Sequence, residues 1–410
     1  MIKQISINTH HFLFIKKKKM GCKKYVYVVI YKKKCIYFIF QSVFTQYIQK
    51  LAKEGFFMKV KILVVFFSIL LLLFGVGLLF NKNLNSNFND LSNPDKSILK
   101  EYNLYCSAKK DVWFNFNLKT KSILAINDSP LGDMYLITPK KKIRNIYTKK
   151  INLPKNFNIT VYRISKLSPV YIRYKLTLGN FNTTGKKYRV GNINNIFYIK
   201  YPNDMKNIQK KRSNKHFVPF LVHESFHYFM QSDWKDASIH SQTYSDKELN
   251  LLNKEYILLD KIKKELSNST PNKENLINLS QQYISIVEQR GHDFPLEKLI
   301  EEQMTETIEG TAQYVQIKAA KIINYDYDIL YFLNKTISFS EVIPDIKKQV
   351  VNQSIIGSDI IYSSGALLCK LLDFFNVPNW QETLNKQTLD NPVTLYKLLK
   401  NFIDQQSLQS

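Results

Sequence analysis

The chain reads as an α+β protein, and three observations predict this. Residues 62–80, "ILVVFFSILLLLFGVGLLF", run nineteen positions without a charge. Between about 110 and 201, β-branched and aromatic residues recur in short, nearly alternating runs. After Pro202 the apolar spacing changes to a helical one. An N-terminal membrane-anchor helix, a β-rich lobe and a mostly helical lobe follow in that order.

Residues 1–57 hold twelve lysines and one acidic residue, Glu54, with no sustained period of 3.6 or 2. Codons for Lys, Ile, Phe and Tyr are AT-rich, so the stretch reads as upstream DNA translated in frame, with Met58 as the start. A Lys53-Glu54-Gly55 triplet can be encoded by a purine-rich ribosome-binding sequence at a suitable distance. The alternative is a disordered basic arm.

Residues 58–81 read as a signal anchor. Nineteen apolar residues are long enough to cross a bilayer as a helix. Lys59 and Lys61 precede them, which leaves the start in the cytoplasm and sends the remainder out, as a single-pass protein of the cell membrane. Cleavage near Gly75–Gly77 and secretion is the alternative. The formal net charge of +26 falls to +15 without residues 1–57. The excess suits an anionic surface, and no nucleic-acid motif accompanies it. Past the anchor only Cys106 and Cys369 remain, which excludes a disulfide framework.

Residues 82–109, polar at their start, read as a tether. Within a β-rich region at 110–204, "DVWFNFNL", "NITVYRI", "PVYIRYKLTL" and "NIFYIKYP" read as strands separated by Gly/Asn turns. Helices are expected at about 216–232, 246–266, 273–290, 295–323, 361–376 and 391–404. They divide between a helical region at 205–323, with an insert at 228–308, and a C-terminal region at 324–410.

"LVHESFHYFM", 221–230, places two histidines four apart with a glutamate beside the first. Positions four apart share a helix face, about 5–6 Å between Cβ atoms, so His223 and His227 can direct ring nitrogens at one ion. Glu224 can reach a water there without ligating the metal, which is the logic of H-E-x-x-H. With seven histidines and fifteen glutamates in the chain, chance yields the pattern at a frequency on the order of 0.5 per cent. Satisfied core histidines on an ordinary helix are the plain alternative. A catalytic zinc also needs a third ligand and an open position for water.

In "ETIEGTAQY", 306–314, Glu309 is the candidate third ligand, with Glu306 as a fallback ligand or an orienting partner. Gly310 implies close approach of another helix, since glycine in a helix interior costs about 1 kcal/mol against alanine. The competing reading is that Glu302, Glu306, Glu309, Gln313 and Gln316 form a stripe facing water. Tyr362 stands in Tyr-x-x-Gly before an amphipathic run, "IYSSGALLCKLLDFF".

"HESFH", "EGTAQY" and "YSSGALL", in this order, resemble the gluzincin metallopeptidases, particularly the catalytic domain of the M1-like peptidase MA group. The resemblance covers roughly residues 190–376. It implies a zincin-like catalytic lobe with His223, His227 and Glu309 as Zn2+ ligands, Glu224 as general base and Tyr362 as oxyanion stabiliser. It also implies a peptide or protein substrate. Two departures stand out. Here 81 residues separate His227 from Glu309, where those enzymes have a much shorter spacer. "GNINN", 191–195, is the nearest counterpart of their substrate-binding strand, with Asn194 in place of the carboxylate that grips a substrate's amino terminus. Asn194 and Asn195 are thus expected to face substrate, and an endopeptidase is expected over an aminopeptidase. Two other classes compete: a catalytically inactive surface binding protein on a peptidase scaffold, and a zinc hydrolase of a non-peptide bond.

Overall fold

Short apolar runs with two faces to bury, and amphipathic runs with one, divide the chain into a sheet and helices. The computed structural model describes residues 5–7, 10–12, 56–83, 86–138, 142–202, 216–235, 243–332 and 335–409. These hold 11 helices and one six-stranded sheet, a mixed α+β arrangement.

In the N-terminal unit, β1 (Ile5–Ile7) and β2 (His10–Phe12) pair as an antiparallel hairpin. The expectation for residues 1–57 otherwise lies outside the described residues. Helix α1 (Phe56–Asn83) contains Val60–Gly77, with a mean hydropathy of 2.7 and none of it buried. It is long and apolar enough to cross a membrane. Apolar residues such as Leu63, Phe67 and Leu71 are exposed on every side of it, so no single face asks for a protein partner.

In the unit from Phe80 onward, the sheet runs in the order β5 (Thr148–Lys150), β6 (Thr160–Ile164), β4 (Met134–Thr138), β3 (Ile123–Asn127), β8 (Phe197–Tyr201), β7 (Phe181–Thr183). Strands β3 and β8 are parallel; the other pairs are antiparallel. "ILAIN" and "MYLIT" are buried throughout because both faces of the sheet are covered. Ile123, Ala125, Tyr135, Ile137, Phe197 and Ile199 join the main core. Leu124, Ile126, Met134, Leu136 and Tyr198 enter a second cluster on the opposite face.

Three expectations for this region need correction. The tether at 82–109 is largely helix α2 (Asn93–Ser107), capped by Ser92, with Ile98, Leu99, Tyr102 and Tyr105 buried. Its polar appearance misleads because Asp95 is buried and hydrogen-bonded in the interior. That carboxylate accepts from Tyr201 at 2.6 Å and from Tyr135 and Asn127 at 2.9 Å, tying α2 to β8, β4 and β3. "PVYIRYKLTL" is not a strand but helix α3 (Pro169–Leu176). Proline at its first position favours a helix start, and Val170, Tyr171 and Tyr174 make its buried face. "DVWFNFNL" is a run of turns that buries Trp113 and Phe116.

Helix α4 (Phe217–Met230) packs on the sheet through aromatic contacts of Phe197 with Tyr228 and Phe229. Helices α5 (Asp246–Leu266) and α6 (Lys273–Asp293) form the insert, α5 opening with a Ser245–Glu248 capping box. Leu252, Leu259, Leu276 and Tyr283 give the insert a share of the main core. Helix α7 (Leu296–Ile322) crosses α4. The two-stranded β9 (Tyr331–Phe332) and β10 (Lys335–Thr336) follow, then α8 (Phe339–Lys347), which had no sequence expectation. A π turn, Ile356–Ile360, leads into α9 (Ile361–Phe374). The apolar stretch Gln353–Phe374 is 72% buried, a core helix of this unit. Helices α10 (Trp380–Asn385) and α11 (Leu395–Gln409) complete it.

Helices α7 and α9 meet at glycine. A Cβ on Gly310 would lie 2.4 Å from the Gly365 Cα, and one on Gly365 would lie 2.2 Å from the Glu306 carbonyl oxygen. Each helix therefore excludes a side chain where the other passes.

Asp95→Ala removes the shared acceptor of two tyrosines and an asparagine. An unsatisfied buried group costs about 1–3 kcal/mol, so a destabilisation of ~3 kcal/mol or more is expected in urea unfolding. A loss below ~1 kcal/mol would show that this carboxylate does not hold α2 to the sheet.

Candidate metal centre

Helix α4 sets His223 and His227 one turn apart, with their Nε2 atoms 3.2 Å from each other. Helix α7 brings Glu309 to the same point. Its Oε2 lies 3.5 Å from His223 Nε2 and 3.4 Å from His227 Nε2. A tetrahedral ion with bonds of about 2.0–2.1 Å separates its ligand atoms by about 3.3–3.4 Å. All three sides of the observed triangle lie close to that value. Among the described residues this is the one group of three or more His, Cys, Asp and Glu placed to hold a metal ion. Side-chain exposures of 10% for His223, 25% for His227 and 21% for Glu309 leave one side open to solvent.

The far side of each imidazole meets a glutamine. His223 Nδ1 lies 2.9 Å from Gln316 Oε1, and His227 Nδ1 hydrogen-bonds Gln231 Oε1. These two residues were not anticipated. The available signals were Gln231 four residues after His227 on the helix end, and Gln316 two turns after Glu309 on one face of α7.

Burial raises the Glu309 carboxyl, but hydrogen bonds from His223 and His227 outweigh it and hold the group well below the usual carboxylate range. Burial lowers His227, and its bonds to Glu309 and Gln231 more than reverse that. Glu224 is half-buried, and burial raises its carboxyl against the pull of the two histidines. Tyr362, from the first turn of α9, lies within electrostatic reach of Glu309 and stacks on His223 with ring centroids 6.1 Å apart. Burial and the Glu309 charge push its phenol up, so it stays protonated at neutral pH.

The structure thus brings together His223, Glu224, His227, Glu309 and Tyr362. Glu306 does not join them. It turns to the other side of α7, where the Ser364 hydroxyl donates to it. Nearby, Arg290 pairs with Glu255 at 2.9 Å and with Glu302 at 2.5 Å. Glu306, Glu302 and Arg290 line a cavity of about 30 Å³, room for one water. The stripe expected to face water is mostly interior: Glu302, Glu306, Gln313 and Gln316 are buried. Asn194 and Asn195 are also displaced from expectation. They are exposed in the loop between β7 and β8, with Asn195 in a left-handed conformation at φ 47°, and no described contact joins them to the histidines. The edge strand beside α4 is β7, whose Phe181 packs edge-on against Phe220, one turn before His223.

No protein-family model, no curated protein and no solved structure matches this chain.

Burial pushes Glu306 up to about 8, against an ordinary value of 4.5, with the Ser364 bond opposing. The unfolded carboxyl therefore ionises first, and its ionisation draws the chain toward the unfolded state. The stability this group contributes is present below the ordinary value and is lost as pH rises toward 8. Glu306→Gln is expected to raise the melting temperature at pH 8 more than at pH 5. An equal shift at both pH values would show that Glu306 is not the titrating group.

Proposed function

We propose that the chain is a membrane-anchored zinc-dependent peptidase of the gluzincin type, acting as an endopeptidase. The supporting observation is the triangle of two imidazole nitrogens and one carboxylate oxygen with sides of 3.2, 3.5 and 3.4 Å. Imidazole and carboxylate donors in tetrahedral spacing suit zinc. Zinc bound there supplies an acidified water and an electrophile for the scissile carbonyl.

The protein's own groups do the rest. Glu224 stands next to His223 on α4, and its raised carboxyl suits it both to take a proton from the attacking water and to return it to the leaving amine. Tyr362 keeps its proton and is the donor available to the developing oxyanion, a role worth about 2.7–4 kcal/mol in comparable sites. On this reading the sheet and α4 make a zincin-like lobe. Strand β7 is a sheet edge, so an extended peptide can add to it by backbone hydrogen bonds. Neither β7 nor residues 191–195 carry an acidic side chain for a free amino terminus, which favours internal cleavage. Lys59 and Lys61, in α1 ahead of its charge-free run 62–80, orient this site to the outside of the membrane.

Glu224→Gln should keep its bound metal and lose at least about 10²-fold in peptide cleavage, measured on a peptide library with a chelator control. A variant that cleaves at the wild-type rate removes Glu224 as the base. A metal-loaded wild type that cleaves no peptide in the library removes the peptidase reading.

A further inference from the structure

Gln231 ends α4 and is buried beside the metal centre, at 8% exposure. Its side-chain nitrogen donates to the Ile308 carbonyl oxygen at 2.9 Å and to the Thr311 hydroxyl oxygen at 2.7 Å. A carbonyl can only accept. The Thr311 hydroxyl has its own acceptor in the Thr307 carbonyl at 2.7 Å, so toward Gln231 it also accepts. These two contacts fix which end of the amide is nitrogen. The amide oxygen then faces His227 Nδ1, and an amide oxygen has no proton to give. His227 must therefore carry a proton on Nδ1, which leaves Nε2, beside His223 and Glu309, as the nitrogen an ion would take. The same amide holds the end of α4 to the backbone of Ile308, the residue before Glu309.

We infer that Gln231 is a positioning residue that sets the tautomer of His227 and locks its helix to the turn carrying Glu309, so that the ligand set is formed before an ion arrives. The inference rests on the metal reading of the site, but the tautomer can be tested without metal. A local glutamine does here what a backbone carbonyl or carboxylate commonly does behind a metal-binding histidine. It does so with no added negative charge, which leaves the centre of two neutral imidazoles and one carboxylate at net +1 with a divalent ion.

The first arm of the test is ¹⁵N NMR of the full chain in detergent, histidine-labelled, stripped of metal with chelator and held at a pH where imidazole is neutral. His227→Ala assigns the signal. The proton is expected on Nδ1 in the wild type and shifted to Nε2, which faces the Glu309 carboxylate, in Gln231→Met. A wild-type His227 protonated on Nε2 overturns the inference whether or not the chain binds metal. The second arm is zinc affinity by chelator competition. Gln231→Met should bind zinc about 10–100-fold more weakly. Gln231→Glu keeps an acceptor for His227 while losing the donor to Ile308, so it should recover part of that loss. Met and wild type binding zinc equally would overturn the inference. A wild type that binds no zinc, with the Nδ1 tautomer intact, would instead remove the metal reading and leave the tautomer assignment standing.

Discussion

Two helices cross so closely that three ligand atoms, from residues up to 86 positions apart, sit within 3.5 Å of one another. The remaining features of the site answer to that crossing. Two imidazoles and a carboxylate gathered in a largely buried place are costly unless each is paired. Here every one has a partner on its far side or at its rim: Gln316 behind His223, Gln231 behind His227, and Tyr362 against Glu309. The spacing left at the centre is one that a single metal ion could fill.

Helix α7 is the organiser. Its polar positions, spaced at three and four, divide between two buried settings. Glu309 and Gln316 turn to α4 and the histidines, while Glu302 and Glu306 turn to Arg290 and Ser364. The glycine contact with α9 keeps these settings in register. Because Gly310 and Gly365 admit backbone against backbone, the first turn of α9 can hold Tyr362 over His223. A side chain at either glycine would push the helices apart and carry the tyrosine away from Glu309.

Much of this was legible in the sequence, and the limits are physical. Helical periodicity and caps marked α4, α5, α6, α7, α9 and α11 to within a few residues, because long amphipathic runs declare both their faces and their ends. The grouping of His223 and His227 was legible because positions four apart share a helix face, and Glu309 because it stands before a glycine on a helical run. What failed was short or locally ambiguous. The residues of α3 are β-branched and aromatic, so propensity pointed to a strand while burial of Val170, Tyr171 and Tyr174 decided for a helix. Asp95 looked like part of a polar tether because its three partners lie on strands remote in sequence. Glu306 and Glu309 share a helix three positions apart, and only the packing of α9 shows that one is held by Ser364 and the other faces the histidines. Gln231 and Gln316 gave only their helical spacing from His227 and Glu309 as a signal, since an amide that orients a histidine looks like any polar helix residue until the crossing is known.

The central claim is that His223, His227 and Glu309 bind one divalent ion tetrahedrally with a solvent molecule, and zinc K-edge X-ray absorption on the chain loaded with one equivalent of zinc tests it most directly. The account predicts four nitrogen or oxygen neighbours at about 2.0–2.1 Å, with the outer-shell scattering of two imidazole rings. Six oxygen neighbours, sulfur at about 2.3 Å, or no imidazole signature would contradict it.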